Sequence, residues 1–235
     1  MSRKSLWWIR VLGALLVALI AFFQFAYRPW QRTWGATAEE VLREMPGDGI
    51  VANPSFNATR AVEIDARPEQ VWPWIVQIGY HKAGFYSHDW LDNDRIPSAE
   101  EIIPEFQSLR AGDTLPLSRT ATARVEVLEP NEFMLLVVEG ESAGHETWTW
   151  AWGLYSAGPT STRLVTRLRV DPDSNLSNLY LDAFEIVMMS KCLLGIKRRA
   201  EDTAPQNISD SEECSFTRPA RALGKGCIAP RSLPT

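Results

Sequence analysis

Leu6 to Tyr27 is apolar apart from Arg10 and Gln24. About twenty such residues, each rising ~1.5 Å along a helix, are enough to cross the hydrocarbon layer of a bilayer. Trp7 and Trp8 at one end and Tyr27 and Trp30 at the other carry rings that favour the headgroup layer, and Arg10 can snorkel toward it. Residues 1–27 are therefore expected to be a single-pass membrane anchor. Ser2-Arg3-Lys4 also suits the start of a secretory signal, but no small-residue cleavage pattern follows the apolar run. Basic residues stand on both sides, Arg3 and Lys4 before the run and Arg28, Arg32 and Arg43 after it, so the side of the membrane taken by the rest of the chain stays open.

Downstream the period changes. Thr37-Ala-Glu-Glu40 has the form of a capping box and predicts a short helix to about Met45, ended by Pro46-Gly-Asp-Gly49; residues 28–57 read as a linker that contains it. Ala58 to Asp65 alternates, with Arg60, Val62 and Ile64 on one side, and predicts a strand. In Pro68 to Ile78, Val71, Trp72, Ile75 and Ile78 recur at helical spacing, and Pro73 marks a kink or the start of the helix proper. Gly79 to Gly112 has no clear period beyond a helical turn or two within Ala99–Phe106. Four strand-like runs follow, Thr122–Leu128, Glu132–Glu139, Glu146–Tyr155 and Ser161–Asp171, and their short connections imply antiparallel neighbours. Leu176 to about Ala200 predicts a long helix capped by Ser174 or Asn175. Leu179, Tyr180, Ala183, Phe184, Val187, Met188, Lys191 and Leu194 share one broad face of it. Beyond Glu201 the apolar period stops, and residues 202–235 read as a disordered tail.

This order predicts an α+β helix-grip domain over residues 58–201, a curved antiparallel β-sheet wrapped around a long C-terminal helix, attached to an N-terminal transmembrane helix. Composition narrows the function. With 45% hydrophobic and 23% charged residues the chain is globular on average, and a net charge of −5 without a basic cluster argues against nucleic-acid binding. Three cysteines without CxxC spacing encode neither a zinc cluster nor a complete disulfide framework, and Cys192 reads as a small buried hydrophobe.

Several motifs resemble the SRPBCC superfamily of START-like proteins, in a bacterial branch that often carries an N-terminal membrane segment. They are Trp34-Gly-Ala-Thr with Pro46-Gly-Asp48, Ile64-Asp-Ala-x-Pro68-Glu-x-Val71-Trp-Pro-Trp74, Gly84-Phe-Tyr-Ser87 with Asp89-Trp-Leu91, Pro104-Glu-Phe with Gly112-Asp113, and Gly195-Ile-Lys-Arg-Arg-Ala-Glu201. The resemblance spans about Trp34 to Glu201 and implies a deep, mostly apolar cavity between sheet and long helix. It reaches polyketide cyclase and lipid-transport proteins only at the level of fold, so it carries no activity.

Strand periodicity puts Trp148, Trp150, Trp152 and Leu154 on one face, either a core stripe or the wall of a pocket whose polar contents satisfy the indole N–H groups. Gly84-Phe-Tyr-Ser-His-Asp-Trp-Leu91 mixes aromatics with polar groups in an irregular segment, the best place for a site. Tyr86, His88 and Asp89 are the catalytic candidates; the bland alternative has Tyr86 and Trp90 closing a cavity mouth while His88 and Asp89 bond to loop backbone. Trp74, Phe85, Tyr86, Trp90, Trp148, Trp150, Trp152, Phe184 and Met188 are the expected ligand-binding set. Arg163, Arg167 and Arg169 are expected on a solvated strand face. No metal site and no cofactor are expected. The leading expectation is a membrane-anchored protein that binds a hydrophobic small molecule or lipid; the alternatives are an enzyme using cyclase- or hydrolase-like acid–base chemistry on such a molecule, and a ligand-free scaffold.

Overall fold

Strand alternation decides which side chains meet the long helix. A computed structural model describes residues 3–138, 147–171 and 181–204. Its strands are β1 (Phe56–Ile64), β2 (Thr114–Pro116), β3 (Thr122–Glu129), β4 (Phe133–Val138), β5 (Thr147–Ser156) and β6 (Thr162–Asp171). They form one open sheet in the order β1-β6-β5-β4-β3-β2, antiparallel throughout, with a register shift between Val125 and Val127 where β3 bends. The register aligns Arg60, Thr166, Trp152 and Met134 in one row across the sheet and Ala58, Leu168, Trp150 and Leu136 in the next. These rows belong to the face packed against α4 (Pro68–Val76) and α6 (Ile186–Thr203), which is the helix-grip arrangement. Edge strand β2 was not foreseen: three residues are too few to show a period.

The chain reaches the sheet through one continuous helix, α1 (Arg3–Phe22), a π-helical stretch (Phe23–Tyr27) and α2 (Arg28–Arg32). The Thr37 capping box forms as expected at α3 (Ala38–Leu42): the Glu40 amide donates to Thr37 Oγ1 at 3.2 Å and the Thr37 amide to Glu40 Oε2 at 2.8 Å.

Of residues 28–57, read from the sequence as a linker, the first turn is α2, which bonds through Gln31 to Arg60, the last two residues open β1, and the stretch from Ala36 to Val51 is folded against the second face of the sheet. Met45 joins Ala61, Phe133, Leu135, Val137, Ala151 and Val165 in a separate apolar cluster there. Gly47, at φ +92°, lies so close that a Cβ would stand 2.5 Å from a Leu135 methyl. This overturns the expected solvated face for the β6 arginines. Arg167 is 2% exposed; its guanidinium donates to Thr59 Oγ1, Asp48 Oδ2 and the carbonyls of Glu40, Val41 and Arg43. Arg163 pairs with Glu40 at 2.6 Å, and Arg169 donates to the Val51 carbonyl at 2.9 Å. Arg167 is buried and Arg163 and Arg169 are half-buried because a segment offering backbone carbonyls lies over them, which strand alternation cannot reveal.

The phase of α6 also differs from expectation. Ile186, Met189, Cys192, Leu193, Ile196 and Ala200 are its buried side, whereas Val187, Lys191 and Leu194, expected inward, are exposed. The helix carries two apolar stripes, and periodicity alone does not say which one meets the sheet. In Ala99–Phe106 only a 3₁₀ turn at Pro104–Phe106 forms. The expected caps Ser174 and Asn175, the helix start from Leu176 to Tyr180, the side chain of Phe184 and residues 205–235 of the expected tail lie outside the described residues.

Candidate functional site

The irregular segment after α4 is held by a polar cluster centred on Gln77, fully buried at 0% exposure. Gln77 Nε2 donates to Tyr86 Oη (2.9 Å) and the Glu101 carbonyl (3.2 Å), and its Oε1 accepts from the Ile103 amide (2.9 Å). Tyr86 Oη donates in turn to the Trp74 carbonyl at 3.1 Å, and the Arg199 guanidinium lies 4.5 Å from the Tyr86 ring centroid. Burial pushes the Tyr86 phenol well above its ordinary range, which disfavours proton loss. Close approach of α6 is possible because residue 195 is glycine: a Cβ there would stand 2.5 Å from the Tyr86 carbonyl oxygen.

Tyr86, His88 and Asp89 do not converge. Asp89 Oδ1 accepts from Ser98 Oγ at 2.5 Å, and Ser98 Oγ accepts from the Tyr86 amide at 3.0 Å. His88 Nδ1 instead stands 3.3 Å from Lys191 Nζ on α6. His88 also precedes the four-residue helix α5 (Asp89–Asp92), which the sequence did not suggest. Trp90 is 66% exposed, its ring 6.4 Å from that of His88, while Phe85 is buried and stacks at 6.5 Å on Trp150. The acidic stretch after α5 closes on itself: Asp94 accepts from Arg119 and Tyr80 and meets His81 at 3.2 Å, and the Arg119 and Tyr80 bonds pull its carboxyl down to about 2.

The indole stripe of β5 faces α6 and α4. Trp150 and Trp152 are buried with ring centroids 4.7 Å apart, Trp148 packs at the border of the same core, and Trp74 of α4 is fully buried beside Tyr86. Their N–H groups differ. Trp150 Nε1 donates to Thr166 Oγ1 at 2.9 Å, but Trp74 Nε1 and Trp152 Nε1 are buried with no acceptor among the described residues. Met188 is half-buried, and its carbonyl accepts from Ser87 Oγ at 3.0 Å. Cys192 is buried among these residues, and burial pushes its thiol far up, so it packs as a hydrophobe.

Two buried acids just before α6 were missed by sequence reasoning. Glu185 pairs with Arg60 at 2.5 Å on the inner face of β1, and burial pushes its carboxyl up against the opposing pull of that guanidinium. Arg60 also donates to the Gln31 carbonyl (2.8 Å) and Gln31 Oε1 (2.7 Å). Asp182 receives Arg28 (2.7 Å), Arg32 (2.7 Å) and Gln31 Nε2 (3.1 Å). One signal was present: Arg60 falls on the apolar side of the β1 alternation. Gln77 left none.

An open groove of about 430 Å³ lies away from the buried indoles. It is lined by Tyr27, Trp30 and His88 together with Ile186, Val187, Lys191 and Leu194 of α6.

No family profile and no curated protein matches the chain. Among solved structures, the chain is similar to the protein MLL2253 from Mesorhizobium loti, at 15% identity over 62% of this chain and 98% of that one, with a TM-score of 0.39. It is similar to a Thermobifida fusca protein at 10% identity over 62% and 93%, with a TM-score of 0.44. CalU16 from Micromonospora echinospora is similar at 13% identity over 62% and 82%, with a TM-score of 0.38. Among the described residues one helix, Trp7–Arg32, is long and apolar enough to cross a membrane, a property that signal sequences near an N-terminus share.

Proposed function

We propose that this is a membrane-anchored protein whose helix-grip domain binds a hydrophobic small molecule or lipid in the indole-lined interior between sheet and α6. The observation that carries this reading is the pair of buried, acceptorless donors, Trp74 Nε1 and Trp152 Nε1. A buried unpaired donor costs about 1–3 kcal/mol, and a phenylalanine would avoid that cost. Indoles kept at such positions suit an interior that receives a mostly apolar guest with a few acceptor atoms. A guest hiding roughly 500 Å² of apolar surface at about 25 cal/mol per Å² gains ~12 kcal/mol; after an association cost of at least ~4, micromolar affinity is within reach. The separate partners of Tyr86, His88 and Asp89 give the acid–base alternative no comparable support.

The test is energy transfer from tryptophan to cis-parinaric acid, a fluorescent fatty acid, with the full chain in nanodiscs and empty discs as reference. Saturable transfer in the micromolar range, displaced by oleate, is expected. Trp152→Phe, which keeps a ring but removes the N–H, is expected to weaken binding several-fold. Transfer that rises linearly and resists displacement overturns the reading.

A further inference from the structure

The groove beside Tyr27 and Trp30 lies where the apolar span ends. From Trp7 to Tyr27 the helix rises about 30 Å at ~1.5 Å per residue, the thickness of a hydrocarbon layer. Tyr27 and Trp30, the aromatic pair at that end, are themselves walls of the groove. The helix is locked to the domain at the same point. Tyr27 Oη donates to the Ala183 carbonyl at 3.0 Å, Arg28 and Arg32 grip the buried Asp182, and α2 stays helical up to Arg32. With the foot of the span bonded to the π-helical stretch Leu181–Glu185 that runs into α6, the outer stripe of α6 is held at the level where the span leaves the bilayer.

That stripe is apolar where solvent exposure would favour polar residues. Val187 is 50% exposed, Leu194 48% and Trp30 55%, with Trp90 and Leu91 exposed on the short helix α5. One cation sits among them: Lys191 Nζ, 3.3 Å from His88 Nδ1, has no carboxylate partner among the described residues, and the adjacent Asp89, first residue of α5, is turned to Ser98. Apolar walls, an aromatic at the headgroup level and a cation at the rim match one occupant, a phospholipid of the adjoining leaflet.

We propose that the groove between Tyr27–Trp30 and the outer stripe of α6 seats a phospholipid of the leaflet at which the helix emerges, its acyl chain along Val187 and Leu194 and its phosphate at Lys191 and His88. The proposal rests on the membrane-anchor reading but not on the interior ligand site. It gives the domain a fixed face toward the bilayer and explains why α6 has a second apolar stripe.

The test uses the full chain in nanodiscs of phosphatidylcholine with phosphatidylglycerol, carrying the photo-crosslinker p-benzoylphenylalanine singly at Phe25, Val187, Leu194 or Thr120. Phe25 is 85% exposed within the span, and Thr120 is exposed on the hairpin leading from the opposite sheet edge. Mass spectrometry is expected to find lipid adducts at Phe25, Val187 and Leu194 and none at Thr120. Lys191→Glu is expected to cut the Leu194 adduct about fivefold. Absence of an adduct at Phe25 overturns the anchor reading and this proposal with it. An adduct at Phe25 without one at Val187 or Leu194 overturns the seat alone, as does crosslinking of those two positions to a second copy of the chain. An unchanged Leu194 adduct in Lys191→Glu overturns the assignment of the phosphate.

Discussion

Replacing Arg167 by leucine removes the most heavily bonded of the three β6 arginines that tie residues 38–52 to the sheet. The guanidinium makes five hydrogen bonds at 2.6–3.1 Å, to Asp48, Thr59 and the carbonyls of Glu40, Val41 and Arg43. Leucine fills most of the aliphatic volume but offers no donor. Water can reach Asp48, which is 24% exposed, so its loss is modest. The Glu40 carbonyl and the Thr59 hydroxyl lie in buried residues and stay desolvated, at about 1–3 kcal/mol each. A total of roughly 3–5 kcal/mol follows, comparable with breaking other buried charged networks and a large part of the ~5–15 kcal/mol that holds a domain together. For about 200 residues each kcal/mol moves the melting temperature by ~2–4 °C, so Arg167→Leu is expected to melt about 6–20 °C lower by circular dichroism of the full chain in detergent. Limited proteolysis is expected to cut first between Leu42 and Val51. Arg167→Lys, with three donors for five acceptors, is expected to fall between. A loss below ~1 kcal/mol with no new cleavage would refute the reasoning, because residues 38–52 would then be held by Met45 with its apolar neighbours and by the Arg163 and Arg169 contacts, without help from Arg167.

Two further substitutions probe the same frame. Gly195→Ala raises helix propensity by about 1 kcal/mol in an open helix, but here its Cβ would meet the Tyr86 carbonyl at 2.5 Å and the Tyr86 Cβ at 2.7 Å. Overpacking at ~1–3 kcal/mol wins, and melting is expected to drop a few degrees; a rise would show that α6 can shift outward freely. Burial opposes ionisation of Glu40, yet bonds from Arg163 and Thr37 outweigh it and hold the carboxyl below its usual 4.5. The unfolded chain therefore binds the proton first. Stability from this group is present above pH 4.5 and is lost as the pH falls through the lower folded value. Glu40→Gln is expected to lower stability at neutral pH and to flatten the acid side of a stability–pH curve; an unchanged slope would count against the Arg163 pair.

What could be read from the sequence was whatever depends on neighbours along the chain. The apolar run to Tyr27, the Thr37 capping box, the alternation of β1, β5 and β6 and the β-rich apolar run of β4 are periodic or local features, and periodicity follows from backbone geometry wherever an element forms. The grouping of Trp148, Trp150 and Trp152 on one face followed in the same way. Tertiary contact decided the rest. A strand arginine such as Arg167 faces water or a covering backbone with the same alternation, and only the fold laid residues 38–52 over it. Helix α6 has two apolar stripes, and with Tyr27 and Arg28 docked on the π-helical stretch before it Val187 and Leu194 lie outside. Adjacent His88 and Asp89 invited a pair, but residues next to each other in a turn point apart, so each found its partner more than eight residues away, in Lys191 and Ser98. Burial of a charge is settled by what comes to lie against it, and that information is distributed over the whole chain rather than written at the residue itself.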